Sequence, residues 1–256
     1  MELKVSTAIV ESFFAKLKKH LESDVIIAGG GPSGLVCATE LARKGVRVCL
    51  FERNLAPGGG MWGGAMLFNQ IVVQQEALHL LDDYGINHEL FCDGLHTADS
   101  VEATAALIYH ARHAGAVIFN GFSIEDVALD GERVSGVVVN WSPVHREGMH
   151  VDPLVFRAKA VLDATGHPCE IAAVLSRKNG VKLNTPTGEV MWEGSLDVER
   201  GEQATVEHTE EIYPGLFVSG MAACGVSGSC RMGPIFGGML LSGVRAAKII
   251  GEAIGL

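Results

Sequence analysis

The sequence predicts an α/β fold: a parallel sheet interrupted by an antiparallel crossover, with inserted helices. Three stretches predict it. Asp24–Glu52 reads as strand, glycine turn, helix and second strand. Arg133–Trp141 alternates apolar and polar residues and can pair with Leu154–Leu162. Leu216–Val218 is a short apolar strand, followed by a glycine-rich stretch and a last helix that starts near Gly237 and runs to Ile254. Short apolar runs bounded by glycines suit buried parallel strands, and alternation suits a strand with one covered face.

The first of these stretches carries chemistry. Val25–Ala28 is β-branched and apolar, and Gly29, Gly31 and Gly34 follow it with GxGxxG spacing. The first glycine permits a tight turn, the second lets the backbone approach a pyrophosphate, and the third lets helix and strand pack closely. Leu35, Ala38, Leu41 and Ala42 have helical spacing, and the strand Val46–Phe51 ends at Glu52, which can accept hydrogen bonds from both ribose hydroxyls of an adenosine. Phosphates belong on the new helix's N-terminus, where free N–H groups face out. Strand, helix, second strand and terminal acid together predict dinucleotide binding rather than an ordinary glycine turn.

Composition narrows the rest. The 256 residues fit one domain, 1–256, of the NAD/FAD dinucleotide-binding type, with an N-terminal helix and inserted helical and β-crossover segments. A formal charge of −10 argues against nucleic acid or an anionic membrane as partner. No stretch reads as a signal peptide or membrane span, and the six cysteines form no CxxC pair and no zinc spacing. The expectation is a cytoplasmic protein with reduced thiols.

Residues 5–22 predict an amphipathic helix with Ile9, Val10, Phe13, Phe14, Leu17 and Leu21 on one face, for packing on the domain or on a neighbouring subunit. Pro57–Gly60, Gly63 and Gly64 predict a loop, either a flexible surface one or one that lets backbone approach a ligand; Met61, Trp62, Met66 and Phe68 are apolar enough that part of it is covered. Residues 74–86 and 99–114 predict helices, the second capped by Asp99 or Ser100 and ended by Gly115. Strands follow at Ala116–Asn120 and Phe122–Leu129. A polar loop with His145, His150 and Asp152 joins the crossover strands, and AVLDATGH ends in a corner at Gly166-His167. Read from the residues alone, Asp152 either caps a turn before Pro153 or ligates a metal, and His167 is either a satisfied strand-end histidine or a ligand. Residues 170–210 predict a helix and then a polar, partly irregular region with Trp192, Glu193 and His208.

This layout is similar to the two-dinucleotide-binding-domain flavoproteins, with one departure. Those proteins place Asp after the late strand's glycine, to hold the flavin's ribityl chain, and here Met221 stands there. The departures resemble the thiamine thiazole synthase family instead. GGGPSG with FER, PGGGMWGGAMLFN, VVNW followed by HVDP, DATGH and SGMAACGVSGSCRMGPIFGGMLLSG carry the resemblance over nearly the whole chain. It implies that NAD is a substrate: nicotinamide is expelled, and the exposed ribose carbons condense with glycine and a sulfur source. The implied product is an adenylated thiazole carboxylate for thiamine synthesis, made with a ferrous ion's assistance.

The resemblance also implies roles. Ser33, Glu52, Arg53, Gly60, Ile124 and Met221 would lie along the dinucleotide, with His150 and Asp152 completing that set. Asp152 and His167 would hold Fe(2+) between adjacent protomers of an octamer. Arg231 would bind the glycine carboxylate through a bidentate guanidinium contact. In single-turnover members a cysteine at the place of His150 gives up its sulfur; an imidazole cannot, so sulfide is the expected donor and turnover is repeated. His150 and His145 would then serve as acid–base groups. Two other functions compete: a flavin-dependent oxidoreductase, which would be yellow and which Met221 opposes, and a non-catalytic NAD-binding protein.

Overall fold

In the first strand, Val25–Ala28, alternate residues go to two different cores. Val25 and Ile27 join a cluster with the helices Pro32–Arg43, Ser100–Ala114 and Gly237–Ile254. Ile26 and Ala28 join a second cluster with Val137, Val139 and Phe156 of the crossover and Ile171 and Leu175 of the helix Glu170–Asn179. The period of two along a strand makes this division, and burial on both faces explains why the strand is apolar throughout. Each such Leu or Ile contributes on the order of 1.5–3 kcal/mol. These observations come from a computed structural model that describes residues 1–256, the side chain of Asn179 excepted.

The main sheet has six strands in the order Glu211–Tyr213, Leu216–Val218, Ala160–Asp163, Val25–Ala28, Val48–Glu52, Val117–Asn120. All neighbours are parallel except the first pair. The α/β fold that the sequence predicts is therefore present, with its strands' carboxyl ends along one rim. Phe122–Asp130, Arg133–Trp141 and Leu154–Arg157 form the antiparallel crossover sheet.

The sequence places one strand at Leu154–Leu162; the structure divides it. Leu154–Arg157 pairs with the crossover and Ala160–Asp163 enters the parallel sheet. The switch is made by consecutive amides: Ala158 N–H donates to Ser135 O at 2.9 Å and Lys159 N–H to Asp24 O at 3.0 Å. A run of apolar residues does not reveal that its backbone bonds change partners.

Other expectations also change. The helix expected at 74–86 is shorter, a 3-10 turn at Gln75–Ala77 followed by a helix at Leu78–Asp83, and around it Gln70–Gln74, Leu95–Asp99 and His88–Cys92 form a three-stranded antiparallel sheet that the sequence does not predict. The glycine-rich segment holds a 3-10 turn, Gly59–Gly63. Met61 is buried in it and Trp62 partly covered, but Met66 and Phe68 are exposed. Short helices occupy Ser142–Arg146 in the expected polar loop, Val198–Glu207 in the region read as partly irregular, and Met221–Ser227 in the glycine-rich stretch. The first helix, Glu2–His20, buries Leu17 and sets Phe13 against Phe119 and Phe122, whereas Ile9, Val10 and Phe14 stay exposed. Among the described residues no helix is long and apolar enough to cross a membrane.

Candidate active site

The glycine turn behaves as its spacing requires. A Cβ at Gly34 would stand 2.2 Å from Gly29 O, so this glycine lets helix Pro32–Arg43 close on the first strand. Gly31 has nothing within 4 Å of its would-be Cβ, and it faces a cavity of about 620 Å³. That cavity lies at the strands' carboxyl ends, between Ala28-Gly29, Glu52-Arg53, Ala164-Thr165 and Ser219-Gly220, where ligands of open parallel sheets bind. Pro32 opens the helix and has no N–H; its fixed φ suits that position.

Ser33 is buried at the helix start and donates its hydroxyl to Ser219 Oγ at 2.7 Å, tying the glycine turn to the late strand. Glu52 is 5 % exposed. Its Oε2 accepts Gly30 N–H at 2.9 Å, and its Oε1 accepts the backbone and side-chain amides of Asn54 at 2.8 and 2.9 Å. A carboxylate offers about four acceptor sites. One ribose hydroxyl therefore fits Glu52 as it stands, and a second requires the Asn54 amide to move. Arg53 pairs with Glu170 at 2.6 Å on the cavity wall. The glycine-rich segment packs over the motif, with Gly58 N–H donating to Gly30 O at 2.6 Å and Gly59 and Gly60 lining the cavity. Ile124, at a bulge in the strand Phe122–Asp130, and Met221 line it too.

The other residues of interest come from the corner after Asp163. This buried carboxylate accepts Thr165 N–H, Thr165 Oγ1–H, Ile171 N–H and Ala172 N–H at 2.7–3.0 Å. Burial pushes its carboxyl above the usual range and the donors oppose that push. The contacts fix the turn Ala164–Pro168 between strand and helix, which sets His167 on the cavity wall. His167 Nδ1 lies 2.7 and 2.8 Å from the Glu193 oxygens. A proton on Nδ1 shared with Glu193 leaves Nε2 with its lone pair free for a ligand or substrate. Arg231 lines the same cavity and pairs with no carboxylate among the described residues.

One chain thus brings Ser33, Glu52, Arg53, Gly60, Ile124, Met221, His167 and Arg231 to a single cavity. It does not bring His150 and Asp152 there. Both lie on the exposed stretch after the helix Ser142–Arg146, as does Met149, and His145 is exposed on that helix. Among the described residues no three His, Cys, Asp or Glu side chains gather as a metal site. The single chain therefore offers an imidazole backed by a carboxylate, and lacks Asp152 beside it.

The chain matches the Thi4 family over residues 6–236. It is 54% identical over 253 residues to "Thiamine thiazole synthase" of Methanothermobacter thermautotrophicus, covering 99% of this chain and 98% of that one. It is 47% identical over 253 residues to the protein of the same name from Thermotoga maritima, with 99% and 98% covered. The chain belongs to the Thi4 family of thiamine thiazole synthases. The crystal structure of Thermovibrio ammonificans THI4 superposes with a TM-score of 0.98 at 50% identity, covering 100% of this chain and 99% of that chain. This Thi4 chain is thus an enzyme with the fold of that relative.

Two Thi4 residues at this site escaped assignment from sequence. Glu193 reaches His167 across 26 positions from a polar stretch, and nothing in its neighbours marks it. Asp163 stands within DATGH, and an acid inside an otherwise apolar buried strand was the available signal.

Proposed function

We propose that this Thi4 enzyme converts NAD, glycine and sulfide to ADP-5-ethyl-4-methylthiazole-2-carboxylate with release of nicotinamide, over repeated turnovers and with ferrous iron. It is a transferase-type synthase that uses NAD as substrate. The observation that carries the reading is the shared cavity: the glycine motif, His167 and the unpaired Arg231 line one space. Glu52 would hold the adenosine ribose, the amino end of helix Pro32–Arg43 the pyrophosphate, and Arg231 the glycine carboxylate.

His167 would hold the iron through Nε2, with Asp152 of a neighbouring copy as the second protein ligand. Bound there, the ion would supply Lewis-acid polarisation of carbonyl and imine groups. Its donors, one imidazole and one carboxylate, suit ferrous iron and leave positions for substrate. The exposed position of Asp152 and His150 outside their own chain's cavity supports a shared site. Exposed apolar residues, among them Ile9, Phe14, Leu67, Phe68 and Phe91, support a homo-oligomer, for which we propose an octamer. His150, and His145 beside it, would move protons during imine formation and dehydration.

Sulfide is the proposed donor because none of the six cysteines lines the cavity and burial pushes the thiols of Cys37, Cys49, Cys169 and Cys224 up, which disfavours the thiolate. Such thiols suit a reducing cytoplasm, where we place the enzyme.

The test is anaerobic incubation of the pure protein with NAD, glycine, sulfide and ferrous iron, followed by mass analysis of small molecules. Adenylated thiazole in excess over enzyme is expected. Intact NAD together with tightly bound flavin would replace this reading with the oxidoreductase one.

A further inference from the structure

Away from the cavity, His88 and His96 face each other across a strand pair. His88 opens the strand His88–Cys92 and His96 lies in Leu95–Asp99. The register pairs His88 with Ala98 and Leu90 with His96, so the two histidines are diagonal neighbours on one face of the sheet. That face also carries the buried Val73, opposite His96, and packs toward the helix Leu78–Asp83. The two Nδ1 atoms are 3.1 Å apart, with the rings inclined at 66°. On its other side, His88 Nε2 lies 3.1 Å from Asp82 Oδ1.

A carboxylate only accepts, so a neutral His88 carries its proton on Nε2, toward Asp82, and its Nδ1 holds a lone pair. His96 Nδ1 is then the donor in the contact between the rings. A metal ion can take that proton's place: His96 moves its proton to Nε2 and both Nδ1 atoms become ligands. Once both rings turn so that their lone pairs converge beside the line between them, metal–nitrogen bonds of about 2.05 Å would span a 3.1 Å gap at an angle of about 98°, between octahedral and tetrahedral values. The carboxylate behind one imidazole is the arrangement that orients metal-bound histidines and raises their basicity.

We propose that His88 and His96 form a second metal site, oriented by Asp82, for a borderline divalent ion such as zinc, cobalt or nickel. Two imidazole nitrogens select this class over magnesium or calcium, which take oxygen ligands. Water would fill the remaining positions, since Asp82 is 72 % exposed and brings solvent to the edge of the pair. The ion would link the two strands at a sheet edge, adjoining the helix Leu78–Asp83, and would touch none of the residues around the cavity.

The test uses the full-length, metal-stripped protein with His167→Asn, which removes the metal ligand proposed for catalysis. Zinc binding by equilibrium dialysis is expected to show one ion per chain, weakened at least about tenfold by His88→Gln or His96→Gln and by about 10–100-fold by Asp82→Asn. His110→Gln should leave it unchanged. Thermal melts without metal check that each variant folds. Zinc should also raise the melting temperature of the His167→Asn protein, a readout that needs no alteration at His88 or His96. Zinc binding that is unchanged in both His88→Gln and His96→Gln, or the lack of any zinc-dependent rise in melting temperature, overturns the proposal. None of these readouts depends on thiazole formation.

Discussion

His167 Nδ1 lies within hydrogen-bond distance of both oxygens of Glu193, a residue 26 positions along the chain. With the proton on Nδ1, the contact leaves Nε2 as the nitrogen with a free lone pair. Glu193→Ala is expected to reduce thiazole formation and iron affinity together by about 10–100-fold, with Glu193→Gln retaining part of both. Metal titration alongside product assays checks this. Activity lost with iron affinity unchanged would assign Glu193 another task.

The glycine motif separates packing from binding. Gly34→Ala sets a Cβ against Gly29 O, a backbone atom that cannot swing aside. It should destabilise the fold by about 1–3 kcal/mol and weaken NAD binding as well. Gly31→Ala meets no protein atom within 4 Å, and its φ of −74° suits any residue. Its stability should stay within about 0.5 kcal/mol of the parent while its NAD affinity falls. Urea denaturation and NAD titration of the two variants make the comparison; equal stability losses would contradict the role given to Gly31.

Arg231 provides the cavity's guanidinium that pairs with no acid, whereas Arg53 is held by Glu170. Arg231→Lys keeps the charge and loses the planar fork. It is expected to raise the KM for glycine by about tenfold or more, the cost of a charged hydrogen bond, with NAD binding almost unchanged. A variant that instead loses NAD affinity would place Arg231 at the dinucleotide phosphates.

Local patterns were legible where chemistry repeats along the chain. Gly29, Gly31, Gly34 and Glu52 could be read because a turn, a helix start and a strand end have fixed spacing. His167 was visible at its corner, and Arg231 as a cation in a nearly uncharged stretch. What was hidden depends on partners distant in sequence. The Ala158-Lys159 switch between sheets is written in backbone bonds, which have no side-chain signature. His88–Cys92 exposes most of its residues at a sheet edge, so no apolar run announces the strand. Part of the glycine-rich segment is covered, as its apolar residues imply, but composition does not say which part: Met61 is buried, while Met66 and Phe68 are on the surface. His150 and Asp152 lie on an exposed stretch outside their own chain's cavity.

Glu202 makes stability depend on pH in a direction opposite to most acids. It is buried at the amino end of the helix Gly237–Ile254, where Oε2 accepts Gly238 N–H at 2.7 Å and contacts the Gln74 amide. Its Oε1 and Gln74 Oε1 have no partner. A protonated carboxyl supplies a donor where the ionised form adds only acceptors. Burial pushes this carboxyl from 4.5 up to about 7; the Gly238 and Gln74 contacts hold it down, and Glu76 adds a small push upward. Between those two pH values the folded chain binds a proton that the unfolded chain has released, so stability must fall as pH rises through the interval. The stabilisation is complete below about pH 4.5 and lost above about pH 7, at most about 3 kcal/mol by the usual conversion of pKa shifts. Glu202→Gln should remove this dependence, so the wild type should lose stability relative to the variant between pH 5 and 8 in urea denaturation. Phe236 and Met239, which line the cavity, flank the same helical turn, so substrate affinity should decline over the same interval in the wild type alone. Parallel stability profiles for the two proteins would show that Glu202 is ionised throughout and that the two orphaned oxygens are satisfied by water.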